Sequence, residues 1–570
     1  MTSQPPTFCS LKQNGWMLIA TLAFSSHLLL FRLVELWPRQ LALLYTLLFA
    51  LDVGLRHAYC PGNLFNAVLT TYADLTLYTV FVLISIGFFR LFFHRTAHYP
   101  GPKSWALSKW TLLTTDIHGL RPRVVHQAHL KYGDLVRTGP REISISSPHA
   151  IAVISSNNSA CDKGSWYDVI PGGRGQKFVR SLFTIVDREQ HQQRRKAWEA
   201  AFTSRALKGY EPAMMDNLDV LLSQLSKRAA SGETVHIDDW MMLYSFDLIS
   251  HVGFGRNLSL LEQGKLTPIL ELLEANVWFS QVAGHRPYVC ELLALVPNPI
   301  EPFYQLVREQ LAGRLQHGEQ ANPDIMEVLK EHARQRRDPS IHEDLHAKSG
   351  EEFAEAVNIM VAGSDTGASV MAMTLFLLVQ HPKVVDELRE ELDEAFGKYN
   401  GSVVSDSSLL DSSCPLLNAV IDESMRLYPP VAPGLQKVNR RGPVTIRLHS
   451  GEIHVVPTDT IITVPTYTMH RDPRNFSPEP DAFRPERWMY PEKEDKMNRE
   501  AFVPFSAGRH SCPGRRLARM EMRLVIANLT RKFDMVKADG FDADRFVDGV
   551  RDAFVSMRYH KLSVKLKERK

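Results

Sequence analysis

The chain has 570 residues and a formal net charge of +3, from 66 Lys and Arg against 63 Asp and Glu. Charge this close to balance gives no sign of a nucleic-acid partner, and the length is ample for a large buried core. Six cysteines (Cys9, Cys60, Cys161, Cys290, Cys414 and Cys512) are too sparse for a disulfide scaffold and lack the CxxC spacing of a zinc site, a usage that suits a reducing compartment.

The first hundred residues stand apart. Gly15 to Phe31 carries no formal charge, Leu41 to Leu51 is a shorter apolar run, and Leu75 to Phe89 is uncharged again. A spanning helix needs about 20 mostly apolar residues. These runs predict two or three transmembrane spans, at about 15–34, 41–55 and 75–93, making 1–98 a membrane anchor and 99–570 a separate globular domain. A cleaved signal peptide, the rival reading of the first run, lacks a small-residue cleavage site. His94, Arg95, Lys103 and Lys109 follow the last span and place the next domain on the cytosolic side.

Beyond a rigid break at Tyr99-Pro100-Gly101-Pro102, the stretches Tyr132–Gly139 and Glu142–Ile145 read as two short strands around a turn. A helical stretch ending near Phe202 puts His191 and Arg195 four apart on one face. That face is either solvated or holds an anion. Residues 205 to 345 are mostly helical in pattern, with breaks at Pro297-Asn298-Pro299 and Asn322-Pro323. Glu351 to Gln380 reads as one long helix, apolar nearly all round and therefore buried. Inside it, Ala362-Gly363-Ser364-Asp365-Thr366 is poor helix chemistry. Its hydroxyls can bond back to the main chain and open the helix locally. A buried Asp365 needs a partner or a task.

Leu416 to Leu427 predicts another helix, stopped by Tyr428-Pro429-Pro430, with Glu423 and Arg426 three apart on one face. Strand-like runs follow at Val444–Ile446, Ile453–Val456 and Ile461–Val464. Then comes the loop Phe505 to Gly514, ahead of a helix from Arg515 to Phe533. Cys512 stands at that helix N-terminus, where the dipole and unpaired N–H groups favour thiolate, the metal-binding form. Gly508 and Gly514 let the backbone pass close to something flat or adopt positive φ, and Phe505 can cover one side of the sulfur. On the loop alone, Cys512 is either a buried structural thiol or a metal ligand.

The pattern Phe-x-x-Gly-x-(Arg/His)-x-Cys-x-Gly, as Phe505, Gly508, His510, Cys512 and Gly514, resembles the haem-binding loop of the cytochrome P-450 superfamily. Ala362-Gly363-Ser364-Asp365-Thr366 resembles that family's oxygen-activation motif. Glu423-x-x-Arg426 before Leu-Tyr-Pro-Pro resembles its Glu-x-x-Arg motif. Pro485-Glu486-Arg487-Trp488 resembles its Pro-Glu-Arg-Phe segment, with Trp for Phe. The order holds over residues 99 to 570.

The resemblance implies a mainly α fold with small β-sheets, the cytochrome P-450 fold, behind N-terminal transmembrane helices. It implies haem b with Cys512 as axial thiolate. His510 stands where the family usually has a propionate-binding Arg, with Arg509 as an alternative. His191 and Arg195 would reach the propionates. Thr366 and Asp365 would act on bound dioxygen and supply protons, and Glu423, Arg426 and Arg487 would form a structural cluster. Val277–Val282 is either core or the roof of substrate access; Val431–Leu435 and Ala553–Met557 would line the pocket. The implied function is a monooxygenase that hydroxylates or epoxidises a lipophilic small molecule, of the fungal microsomal type that tailors secondary metabolites. Electrons would come from NADPH through a separate cytochrome P-450 reductase, docked partly on Arg515, Arg516 and Arg519. The implied location is the endoplasmic reticulum membrane, multi-pass, with a cytosolic catalytic domain. The alternatives are a haem-thiolate isomerase or peroxide-using relative, and a non-enzymatic haem-binding protein.

Overall fold

The computed structural model describes residues 15–31, 38–59, 62–169, 179–266, 268–286, 289, 301–316, 324–335, 350–493 and 496–569. Residues 32–34 of the first apolar run, the breaks expected at Pro297-Asn298-Pro299 and Asn322-Pro323, and Cys9, Cys60 and Cys290 lie outside the described residues.

The apolar runs form three helices: α1 (Gly15–Ser26, continued by a π-helical turn to Phe31), α2 (Pro38–Tyr59) and α3 (Leu64–Phe92). α3 starts at Leu64 rather than near 75, because Asn63 caps it by accepting a 2.9 Å hydrogen bond from the Asn66 amide. Asp74 reads in sequence as the end of an apolar run. In the fold Arg56 of α2 donates to its carboxylate at 2.7 Å, and Asp52 takes the other side of that guanidinium at 2.6 Å. These polar groups of α2 and α3 thus face one another. α1 meets α3 through Ser26 and Tyr78 at 2.6 Å and through His27 and Ser85 at 2.7 Å. Leu43, Leu47, Phe65, Leu69 and Leu83 point outward. α2 and α3 are long and apolar enough to cross a membrane.

The globular part begins where Pro100 accepts a 2.7 Å hydrogen bond from the amide of Arg137. That contact lays the Pro/Gly break against β1 (Leu135–Gly139). A five-stranded sheet joins β1, β2 (Glu142–Ile145), β7 (Ile461–Thr463), β4 (Lys437–Val438) and β3 (Asp162–Lys163), in that spatial order. β2 and β7 are parallel; the other pairs are antiparallel. β5 (Val444–Arg447) and β6 (Ile453–Val456) form a separate hairpin. The register of β3 on β4 sets Lys163 directly opposite Lys437, a like-charge pair that destabilises a sheet unless something anionic sits beside it.

The helical body includes α4 (Pro148–Ser155), α5 (Arg188–Ala201), α6 (Ser204–Ser231), α7 (Ile237–Phe254), α8 (Pro268–Gly284), α9 (Glu301–Gln316), α10 (Glu351–Gln380), α11 (Pro415–Leu427) and α12 (Arg515–Lys532). α10 is the axis, packed along α7 and flanked by α11 and α12. It is as long and apolar as a membrane span, yet 78% of its apolar window is buried, so it is core. A Cβ on Gly363 would lie 2.4 Å from Ile249, so glycine permits the close crossing of α7. The expected local opening of α10 does not occur. Ser364 and Thr366 bond back to the carbonyls of Met360 and Ala362 at 2.6 and 2.9 Å, but the helix runs unbroken. The hydroxyls share those carbonyls with the helical ladder instead of replacing it.

Candidate active site

The loop from Phe505 to Gly514 forms the floor of a cavity of about 1040 Å³. The Cys512 amide donates to Phe505 O at 2.9 Å, closing the loop. Gly508 has φ +62° and packs on α4. An added Cβ would sit 1.9 Å from the Ser155 carbonyl oxygen, so no other residue fits. Gly514 has ordinary φ, and a Cβ there would approach Phe202 at 3.8 Å and the Cys512 sulfur at 3.9 Å. The exposed surface of the sulfur opens into the cavity. Phe505 lines the same floor, with Arg515 and Arg519 5.8 and 5.7 Å from its ring centroid.

The amides of Gly514 and Arg515 do reach Cys512 and favour thiolate, but burial outweighs them and pushes the thiol up. A bound cation would displace the proton. Cys161 and Cys414 are buried free thiols.

One end of the cavity is cationic. Lys163, His191, Arg195, Lys437 and His510 line it, and the cavity's lining carboxylates, Glu301 and Glu521, lie elsewhere, Glu301 paired with Arg308 and Glu521 with Ser245. Lys437 donates to His510 Nδ1 at 2.6 Å, and the His191 and His510 rings lie 4.7 Å apart. Burial and then Arg509 hold the Lys437 ammonium down at about 7. Burial, then Lys163 and Arg195, hold His191 down at about 3. Burial and Lys437 depress His510 further still. Cations crowded in a buried pocket without an anion repel one another, so this end suits a ligand that brings negative charge. Two propionates above a thiolate-forming floor fit it, and the residues present match haem.

α5 sets two of these residues. Asp187 caps it, accepting from the Gln190 amide at 2.9 Å. Arg194 ties it to α10 through Glu355 at 2.8 Å and Glu351 at 2.9 Å, which turns His191 and Arg195 to the cavity. Arg195 also donates to the Ser511 carbonyl, gripping the cysteine loop. Arg509 does not line the cavity. It donates to Asn157 O at 3.1 Å and to Cys161 O, and lies 3.5 Å from Asp162. The adjacent His510 faces inward.

Thr366 lines the same cavity, its hydroxyl donating to Ala362 O at 2.9 Å. Asp365 is buried and does not line it. Its side chain borders a second, small chamber behind α10. Burial, then the charge of Glu274, push its carboxyl up to about 7 against the pull of Arg558. Glu521, from α12, reaches the turn after Thr366 and accepts from Ser245 Oγ at 2.6 Å. An added Cβ on Gly367 would lie 2.9 Å from its Oε2.

Glu423, Arg426 and Arg487 meet, all fully buried. Arg426 binds Glu423 bidentately at 2.8 and 2.8 Å, and Arg487 Nε reaches Glu423 at 3.1 Å. Trp488 adds its indole N–H to Glu423 at 2.9 Å and the Arg484 amide adds another hydrogen bond at 3.0 Å. Burial alone would raise Glu423. The hydrogen bonds and charge of Arg426, then Arg487, hold it below the usual carboxylate range.

Val277, Trp278, Phe279 and Ser280 line the cavity from α8, which makes this stretch wall as well as core. Val431, Leu435, Phe554 and Val555 line it too. Phe554 has φ +73° and stacks on Trp166 at 4.7 Å. The expected basic surface on α12 is smaller than its sequence suggests: Arg515 and Arg516 are exposed, but Arg519 is held by Asp422 at 2.6 Å. Sequence reasoning missed Lys163, Lys437, Glu521 and the indole donor of Trp488. Two lysines in two-residue strands give no periodic signal, and only the sheet brings them under His510.

The protein-family model described as Cytochrome P450 matches residues 100–549. The cytochrome P450 monooxygenase FCK2 of Fusarium pseudograminearum is 34% identical over 484 residues, covering 83% of this chain and 82% of the relative. The cytochrome P450 monooxygenase phqL of Penicillium fellutanum is 31% identical, covering 93% and 91%. Tryprostatin B 6-hydroxylase of Aspergillus fumigatus is 30% identical, covering 86% and 84%.

Proposed function

Because the chain belongs to the cytochrome P450 family, and is a haem-thiolate monooxygenase, we propose that it is a membrane-anchored tailoring enzyme of fungal secondary metabolism. It inserts one oxygen atom of O2 into a lipophilic small molecule, by hydroxylation or epoxidation. The observation that carries this reading is the cavity itself: Cys512 on its floor, Thr366 in its wall and five basic side chains at one end.

When bound, haem supplies the oxidising chemistry, its thiolate ligand pushing electron density that favours O–O cleavage. The chain's own residues do the rest. The Gly514 and Arg515 amides stabilise the Cys512 thiolate. Lys437, His510, His191 and Arg195 hold the two propionates and fix the ring's orientation. Thr366 offers a proton at Oγ1 on the substrate side, and Asp365 replaces it. The apolar wall from Val277, Phe279, Val431 and Phe554 excludes water and selects apolar ligands. Glu423, Arg426, Arg487 and Trp488 lock the segment below the floor.

The redox partner is a separate membrane reductase, NADPH–cytochrome P-450 reductase, whose acidic face docks near Arg515 and Arg516. α1 to α3 hold the protein in the endoplasmic reticulum membrane as a multi-pass anchor, with the catalytic domain in the cytosol. The lengths of α2 and α3 support two of these spans, α1 is a shorter apolar helix, and the basic residues after α3 support a cytosolic catalytic domain.

The test compares metabolites of deletion and wild-type strains, with microsomes carrying the full chain and reductase. NADPH-dependent conversion of the accumulated compound to a product one oxygen heavier is expected. Conversion without NADPH would instead establish the isomerase or peroxide-using alternative, and no conversion with no change of metabolites would sink the enzyme reading.

A further inference from the structure

α10 presents Asn358, Ala362 and Thr366 to the large cavity, one turn apart along one face. At about 1.5 Å of rise per residue, Asn358 stands roughly 12 Å of helix before Thr366. Phe353, Val357 and Val361 make the surrounding wall apolar. The hydroxyls of Ser364, Thr366 and Thr374 in the same helix bond back to carbonyls a turn earlier. The Asn358 carboxamide does not. It is half-buried, and it has no hydrogen-bond partner among the described residues. Asparagine is also a weaker helix former than leucine, so neither packing nor propensity explains it at this position.

Tyr304, from α9, lines the same cavity and sets its ring edge-on to Phe353 at 5.7 Å. Its hydroxyl also has no hydrogen-bond partner among the described residues. Burial, then Glu301, push the Tyr304 phenol up to about 12 against the pull of Arg308, so it is a donor at neutral pH. Arg308 lines the cavity too, but its charge is answered by Glu301 at 2.8 Å. This part of the wall therefore offers neutral donors and an acceptor. A hydrocarbon ligand would strip them of water and return no hydrogen bond, which weakens binding.

We propose that Asn358 is a specificity-determining residue, and that the substrate carries a secondary amide of the lactam kind at the end remote from the oxidised carbon. The proposal rests on the monooxygenase reading above. A lactam shows its N–H and its carbonyl side by side on one edge, as the carboxamide of Asn358 does. The two can exchange a pair of hydrogen bonds: Nδ2 donates to the lactam carbonyl, and the lactam N–H donates to Oδ1. An ester or ketone would satisfy Nδ2 and leave Oδ1 bare. A carboxylate would meet Glu301 and no unpaired cation. The Tyr304 hydroxyl supplies a further donor to an oxygen of the same ligand. With the amide held here, the C–H bond that reacts lies towards Thr366. There O2, two electrons from the reductase and two protons give one hydroxyl on carbon and one water.

The experiment uses the full-length holoenzyme with its reductase in phosphatidylcholine vesicles. The probes are a δ-valerolactam carrying a para-butylphenyl group, its N-methyl derivative and the corresponding δ-valerolactone. Binding is read from the Soret shift of the oxidised haem, and the reduced CO complex checks that each variant is folded. The wild type should bind the lactam about tenfold tighter than either analogue. Asn358→Leu should abolish that preference, and Asn358→Gln, which keeps the carboxamide, should retain part of it. With NADPH the wild type should hydroxylate the lactam on its butyl chain, and Asn358→Leu should scatter the position. If Asn358→Leu fails to fold, the wild-type preference and Asn358→Gln decide. Equal binding of the lactam and its N-methyl derivative by the wild type overturns the amide reading, as does a preference that survives Asn358→Leu, or a Soret band that no probe moves. In each of these cases the monooxygenase reading stands if the compound accumulated by the deletion strain is still converted with NADPH, and falls with the amide reading if it is not.

Discussion

Lys437 sits where chain chemistry alone would not put a lysine: opposite Lys163 across a sheet and 2.6 Å from His510. Its charge is a liability in the bare protein and an asset beside an anion. Lys437→Met should therefore raise the thermal midpoint of the haem-free protein yet speed haem loss from the holoenzyme, followed by transfer to apomyoglobin. His510→Ala should loosen haem too, and His510→Arg should retain it. Unchanged transfer in both Lys437→Met and His510→Ala would assign the propionates to His191 and Arg195. At the floor, Cys512→Ala should abolish the thiolate-type Soret band of the reduced CO complex. Cys161→Ala and Cys414→Ala should keep it, because these thiols are buried and do not line the cavity.

At the scale of elements, two helices carry separable roles. α10 is unbroken, so its polar side chains act by where they point. Thr366→Ala should cut product roughly 10²-fold while NADPH consumption continues and peroxide rises, with a normal CO spectrum. Wild-type product and peroxide would reduce the hydroxyl to a bond on Ala362 O. α11 carries the buried cluster. Removing one partner of such a pair strands the others, so Glu423→Ala should cost about 3–5 kcal/mol. Trp488→Phe loses one hydrogen bond to a charged acceptor, about 1.5–3 kcal/mol. Both are read as a lower midpoint for thermal loss of the haem-thiolate spectrum. Glu423 is held below its ordinary range, so its contribution is present at neutral pH and lost on acidification.

At the scale of the whole molecule, the open question is how the anchor sets the catalytic domain against the bilayer. With three spans, the N-terminus is lumenal and the loop near residue 60 is lumenal too, while the segment between α1 and α2 is cytosolic. A glycosylation acceptor engineered near residue 5 should be modified. If a tag near 60 is modified and one near 5 never is, α1 does not span and the anchor is the α2–α3 hairpin.

The sequence by itself determined what depends on neighbours along the chain. The α10 boundaries, Glu351 and Gln380, are legible because apolar residues continue all round. The β1–β2 hairpin and the glycine at 508 follow from local turn chemistry. The ordered motifs pointed to the family. Tertiary structure decided what depends on residues far apart. Arg509 and His510 are adjacent, yet packing against Asp162 and Asn157 turns one outward and leaves the other facing the cavity. Asp365 and Thr366 are adjacent too, but one helical step of about 100° separates their directions, so that Thr366 lines the large cavity and Asp365 the small chamber it shares with Asp238, Glu274 and Arg558. A linear pattern reports spacing. Which side of an element meets an anion, a carboxylate or water is fixed only when the other elements arrive.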